Sequence, residues 1–348
     1  MKSFFSILIG FLLLLSAANL FAQKSEISSE FRTETIDAVL QLLKSKYAYP
    51  EIVPRMEAAI REKQKSGQYD SITDGNKLAE IITADLRAVF DDKHLRLSFS
   101  AEPIALRSAK SGLPTPDELE KARRRQMRQN FGLQKVEILN GNVGLIKINY
   151  FAPLEWSVDV YSAALNTVAN TDALIIDVSE NGGSMDIDTM PFFSSYLFDK
   201  PVQFGDIYWP ETNEKRQLWT SAVVPGKKFL GKPVYLLTSR RTASGAEAFV
   251  AYLKRLKRAS SIGETTAGAT MPGMSHRVNE HFSIWISTGR SSSGAAENEN
   301  KGVMPDTQTA PENALKTAYM QALNQLLKIT DDEEWKERLK KLIDSAGE

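Results

Sequence analysis

Two short runs, residues 173–178 and 234–237, constrain the fold of this chain more than any other feature; both are apolar apart from Asp177. Neither alternates with polar residues along its length, so each asks to be covered on both faces, as strands of a parallel sheet are. Each is followed by a polar turn and then by helical periodicity, over residues 190–198 after the first and 244–255 after the second. Residues 260–263 supply a short third strand, and 156–168 a helix ahead of the first. Apolar strands alternating with helices indicate an α/β fold class. In such sheets ligands bind beyond the carboxyl ends of the strands, which places the turns after Val178 and Leu237 side by side as candidate sites.

At 348 residues the chain can hold one large domain or two smaller ones. Lys plus Arg and Asp plus Glu balance at 43 each, so no global field points to nucleic acid. The N-terminus has Lys2, an apolar run from Phe4 to Leu15, and a small residue, Ala22, at its exit. That pattern describes a signal peptide over residues 1–22 and an exported, periplasmic or secreted, mature chain. An uncleaved membrane anchor is the competing reading, because the segment nearly reaches the roughly 20 residues that span a bilayer. Contact with a membrane is expected only through this segment. There is no cysteine, which excludes disulfides, a thiol nucleophile and a thiolate metal site.

Residues 30–62 read as two helices broken at Tyr47-Ala48-Tyr49-Pro50, and 77–89 as another, giving a helical N-terminal unit over 23–92. Residues 94–99 alternate like a strand. A linker and a charge-rich helix follow over 103–130, where Arg123-Arg124-Arg125 reads as a solvated face. Gly141-Asn142 is a hairpin signal between two strands. A catalytic domain over 93–310 and a C-terminal helical segment over 311–348 complete the expected organisation.

Four groups of residues could carry chemistry. Ser244 stands where a turn becomes a helix, among unpaired N–H groups at the positive end of the helix dipole, so it is a candidate nucleophile. Ser244 and Glu247 also spell S-x-x-E, a capping box with no chemistry of its own. Gly245 leaves room beside its N–H for a substrate carbonyl. The Gly182-Gly183 turn can aim N–H groups at one oxygen, or be an ordinary tight turn. Only His94, His276 and His281 could act as a base near neutral pH, and each is otherwise a loop histidine. Scattered in this way they make no metal-ligand pattern, and neither a metal nor a cofactor is expected. Glu299 could orient a base or be solvated, with Glu297 as its alternative.

Taken in order, these segments resemble the S41 serine peptidases: the tail-specific, C-terminal processing proteases and the tricorn core. The branch that shares its domain with interphotoreceptor retinoid-binding protein is the most similar. The residues that carry the resemblance begin with Tyr47 to Pro50, Asp92-Lys93-His94-Leu95, Asn130-Phe131-Gly132 and Gly141 to Gly144. They continue with Asp177 to Gly183, Thr238 to Phe249, the segment Gly263-Glu264-Thr265-Thr266-Ala267-Gly268 and Gly302 to Asp306. The resemblance implies a ClpP/crotonase-like catalytic domain with Ser244 as the acylating serine. It implies oxyanion donors from Gly245 and from Gly182 or Gly183. Where the processing proteases carry a lysine base this chain has Ala269, so a Ser–Lys dyad is not expected. The tricorn-like alternative maps onto His94 and Glu299, with Lys93 where that branch has a serine. Too little strand-patterned sequence separates Phe99 from Val136 for a PDZ module. The resulting expectation is an exported serine peptidase acting on peptide or protein substrates. The competing expectation is a non-catalytic protein that binds a small apolar ligand on the same fold, and a crotonase-like CoA enzyme is a third.

Overall fold

The computed structural model describes residues 25–105, 114–291 and 296–347. The expected signal peptide therefore lies outside the described residues. The described residues divide into two compact units: those within 1–112 with Trp209–Asn213 and Gly273–Gly289, and the remainder.

The first unit opens with three helices, α1 (Ser29–Lys46), α2 (Val53–Lys65) and α3 (Gly75–Val89). Their starts are coded locally. Ser28 Oγ accepts the Phe31 N–H at 3.1 Å and Asp74 Oδ1 accepts that of Lys77 at 2.8 Å, each satisfying a donor that a helix N-terminus leaves orphaned. Pro54 sits in the first turn of α2, where its missing N–H costs nothing. The helices bury Ile36, Leu40, Leu43, Leu78, Ile82 and Leu86 against Leu97, Phe282 and Ile284. Those last residues belong to an antiparallel sheet ordered β1 (Arg96–Phe99), β10 (Phe282–Ser287), β9 (Gly273–Arg277). The unit is thus more than helical, because two of its strands arrive from far along the chain.

In the second unit a hairpin, β2 (Leu133–Leu139) and β3 (Val143–Ile148), turns at Gly141 and Asn142, both at positive φ. Parallel pairing then continues from β3 to β4 (Ala173–Asp177), β7 (Val234–Thr238), β8 (Ser260–Gly263) and β11 (Thr307–Gln308). The apolar runs are explained by two cores, one on each face. Ile146, Ile176 and Leu236 point to one side with Phe151, Phe193 and Phe249, while Leu145, Ile175 and Leu237 point to the other. Neighbouring strand residues face opposite ways, so a sheet covered twice needs apolar side chains at every position. Helices α5 (Leu154–Thr167), α6 (Thr189–Ser194) and α7 (Gly245–Arg255) contribute to the first core. Ala318, Leu323 and Leu326 of α8 (Pro311–Ile329) and Leu339 of α9 (Glu333–Gly347) close the second. The charged helix α4 (Pro116–Arg128) buries only Gln126 and is closed by a Thr115–Glu118 capping box. The α/β class and the parallel strands follow the sequence. The β5 (Gln203–Trp209) and β6 (Glu214–Trp219) ribbon does not, because β6 exposes all its residues but Leu218 and shows no apolar pattern.

Candidate active site

Strands β4 and β7 pair from Leu174↔Val234 to Asp177↔Leu237, so the turns that leave them are neighbours. Side chains lace these turns together. Thr242 Oγ1 donates to Val178 O at 2.9 Å, Ser239 Oγ to Ser179 O at 2.5 Å, and the Ala243 N–H to Asn181 O at 3.0 Å. The elbow that presents Ser244 is therefore fixed by the adjacent strand end, as expected for a site at a sheet's carboxyl edge.

Ser244 adopts φ +54° and ψ −126°, immediately before α7. Positive φ is uncommon for a residue with a Cβ and persists only where its surroundings over-determine it. Here its N–H donates to Ala269 O at 2.7 Å and to Glu247 Oε2 at 3.1 Å. Glycines on both turns allow a close approach. A Cβ on Gly183 would fall 2.8 Å from Ser244 Cβ, and one on Gly245 would fall 2.8 Å from Ser184 N. Each serine faces the other turn's glycine.

The glycine turn differs from expectation in one respect. The Gly182 N–H donates to Asn149 O at 3.2 Å and the Gly183 N–H to Asn181 Oδ1 at 2.9 Å. Both N–H groups expected at the oxyanion are occupied within the fold. Buried Asn181 also donates from Nδ2 to Ile148 O at 3.1 Å, tying the turn to β3. The Ser184 and Gly245 N–H groups, by contrast, have no acceptor among the described residues.

Glu247 is completely buried and accepts four hydrogen bonds. Thr266 Oγ1 (2.5 Å) and the Gly268 N–H (2.6 Å) reach Oε1, and the Ala269 N–H (2.7 Å) and Ser244 N–H (3.1 Å) reach Oε2. The cap expected from S-x-x-E thus also organises the 266–269 loop. The donors that replace its hydration are all neutral, and three of them are backbone groups.

The acidic alternatives separate cleanly. Glu297 is exposed, whereas Glu299 is buried and its Oε2 accepts both the Thr270 N–H and Thr270 Oγ1 at 2.7 Å. Thr270 follows Ala269, the position without a lysine. Thus Ser244, Gly245, the Gly182-Gly183 turn and Glu299 all belong to the second unit, through side chains that sequence spacing alone could not bring together.

The three histidines belong to the first unit. His94 leaves a turn built on buried Asp92, whose Oδ1 accepts the N–H groups of His94 (2.9 Å) and Leu95 (3.2 Å) and whose Oδ2 accepts Tyr47 OH (3.1 Å). Its ring stacks on Trp285 with centroids 4.5 Å apart, and its buried Nδ1 has no hydrogen-bond partner among the described residues. Burial holds its pKa below the ordinary histidine value; Asp92 opposes that shift and Arg87 adds to it. His276 is also lowered, by burial and then by Lys46. His281 Nδ1 lies 2.8 Å from Ser100 O, a structural tether at the strand edge. Among the described residues no helix is long and apolar enough to cross a membrane.

The sequence and fold have known counterparts. Residues 142–309 match the model for peptidase family S41, and residues 25–133 match that for the N-terminal domain of S41 peptidases in eukaryotic IRBP. A lipoprotein from Streptococcus agalactiae superposes with a TM-score of 0.54 at 18% identity, covering 84% of this chain and 96% of its own. A protein of Parabacteroides merdae assigned as a peptidase gives 0.57 at 15% identity, covering 87% and 98%. The first model spans the glycine turn and the serine elbow, and the second spans the segment that carries His94: this chain belongs to peptidase family S41 and is a serine-type peptidase.

Proposed function

We propose that this peptidase is exported and cleaves peptide bonds through an acyl-enzyme on Ser244, with His94 as general base and Glu299 as the acidic partner. The observation that carries the reading is the strained Ser244 elbow at the N-terminus of α7, packed against a glycine turn. Burial favours the neutral form of His94, the form a base needs, and its Nδ1 has no hydrogen-bond partner among the described residues. Glu299 supplies a carboxylate fixed in orientation by Thr270.

In this mechanism His94 takes the Ser244 Oγ proton as Oγ adds to the scissile carbonyl carbon. The carbonyl π electrons move to oxygen, where the Gly245 N–H and the Ser184 N–H hold the oxyanion. Collapse breaks the C–N bond, and the imidazolium gives its proton to the departing amine. Water then attacks the ester with His94 again as base, releasing the acid and restoring Ser244. The Gly182-Gly183 turn acts by shape, giving the serine room.

A fluorophosphonate probe tests the assignment. Wild type should be labelled on Ser244 and Ser244→Ala should not, while His94→Ala and Glu299→Gln should be labelled more slowly. Equal labelling of wild type and Ser244→Ala would sink the nucleophile, and full labelling rate in His94→Ala would sink the base.

A further inference from the structure

We infer that Thr270 is a positioning residue of this site, and that the Ala269-Thr270 pair links the acid to the nucleophile elbow. The inference rests on the reading of Glu299 as the acid. Thr270 donates twice to the same oxygen, Glu299 Oε2, once from its backbone N–H and once from Oγ1, both at 2.7 Å. Two bonds from one residue to one oxygen fix the carboxylate in direction as well as distance. A β-branched side chain restricted at χ1 makes the hydroxyl half of that clamp stiff. Both residues are buried, so the bonds act in a medium of low dielectric.

The neighbouring residue supplies the second half of the link. Ala269 is pinned from both sides: its N–H donates to Glu247 Oε2 at 2.7 Å and its carbonyl accepts the Ser244 N–H at 2.7 Å. Thr270 cannot shift without drawing on those two bonds. Glu299 is therefore positioned relative to Ser244 through one dipeptide, with no covalent neighbour and no direct contact between the two side chains required. The segment that bears a lysine base in the processing proteases here carries the holder of the acid.

The test is a double-mutant cycle read as the rate of Ser244 acylation by a fluorophosphonate across the acid limb of its pH profile. Thr270→Val keeps the shape and the N–H and removes the hydroxyl. It should slow acylation about 10- to 100-fold, the worth of a hydrogen bond to a charged group, and move the midpoint of the acid limb downward, because a loosened carboxylate supports the imidazolium less. Thr270→Ser should restore both rate and midpoint. In a Glu299→Gln background Thr270→Val should add little. An equal cost of Thr270→Val in both backgrounds, or a Thr270→Ser as slow as the valine variant, overturns the inference. Should the valine variant fail to fold, by circular dichroism, Thr270→Ala takes its place in the same cycle. A Glu299→Gln enzyme acylated at the wild-type rate would instead overturn the assignment of the acid. A slow Glu299→Gln beside a wild-type rate in Thr270→Val would leave the acid standing and remove Thr270.

Discussion

Gly183 faces Ser244 so closely that a Cβ on the glycine would lie 2.8 Å from the Cβ of the serine. The two glycines of the turn are consequently unequal. Gly183 has φ +134°, whereas a Cβ on Gly182 would meet nothing within 4 Å. Gly183→Ala should lower the acylation rate by about 100-fold or more, in the range of a lost oxyanion donor, by pushing the elbow out of place. Gly182→Ala should cost less than about tenfold. Comparing probe labelling of the two variants checks this.

The acid limb of activity should fall below the ordinary histidine midpoint of about 6.5. Burial disfavours the charged imidazolium and so lowers the His94 pKa, leaving the base form populated to lower pH. Trp285→Ala removes the ring stacked on His94. The imidazole then gains water, its pKa rises, and the midpoint should move up toward 6.5. A pH series of labelling rates measures the direction; a downward move would show that burial is not the controlling cause.

Glu247→Gln should destabilise the protein by about 2–4 kcal/mol, because an amide NH2 would face hydrogen-bond donors in a fully buried site. Four bonds converge on the carboxylate that it replaces. Urea denaturation should register the loss, and labelling should slow as well, because the Ser244 N–H is one of the four donors.

Arg258 offers a control remote from the chemistry. Its guanidinium donates to the carbonyls of Leu197 (2.6 Å), Phe229 (2.8 Å) and Lys232 (3.1 Å), and burial lowers its pKa. A lysine cannot reproduce that planar fork, so Arg258→Lys should lose about 1–3 kcal/mol of stability. Thermal unfolding should fall while the labelling rate of the folded fraction stays at wild type.

The parallel sheet was legible because burial on both faces leaves only apolar residues along β4 and β7. The elbow was legible because a strand, a polar turn and a helix start are local features. The Thr270–Glu299 clamp was not, since the two residues are 29 positions apart and nothing in their spacing announces the contact. Nor could the glycines reveal which N–H groups stay open. A Gly-Gly pair states that the backbone is free to turn, not that Asn149 O and Asn181 Oδ1 will take the two donors. Residues 281–287 and their flanks look like a strand in the sequence, yet alternation cannot say which sheet a strand joins, and β10 pairs with β1 in the first unit.

That pairing bears on how such a protein can be inherited. The first unit's sheet is assembled from one strand encoded early and two encoded some 180 positions later, Arg96 standing opposite Trp285. A recombination event that transferred residues 25–105 alone would deliver three helices and a lone strand, with Phe282 and Ile284 missing from the core. The helical front of this peptidase is therefore not a portable module, and any lineage that kept it had to keep the distant hairpin with it.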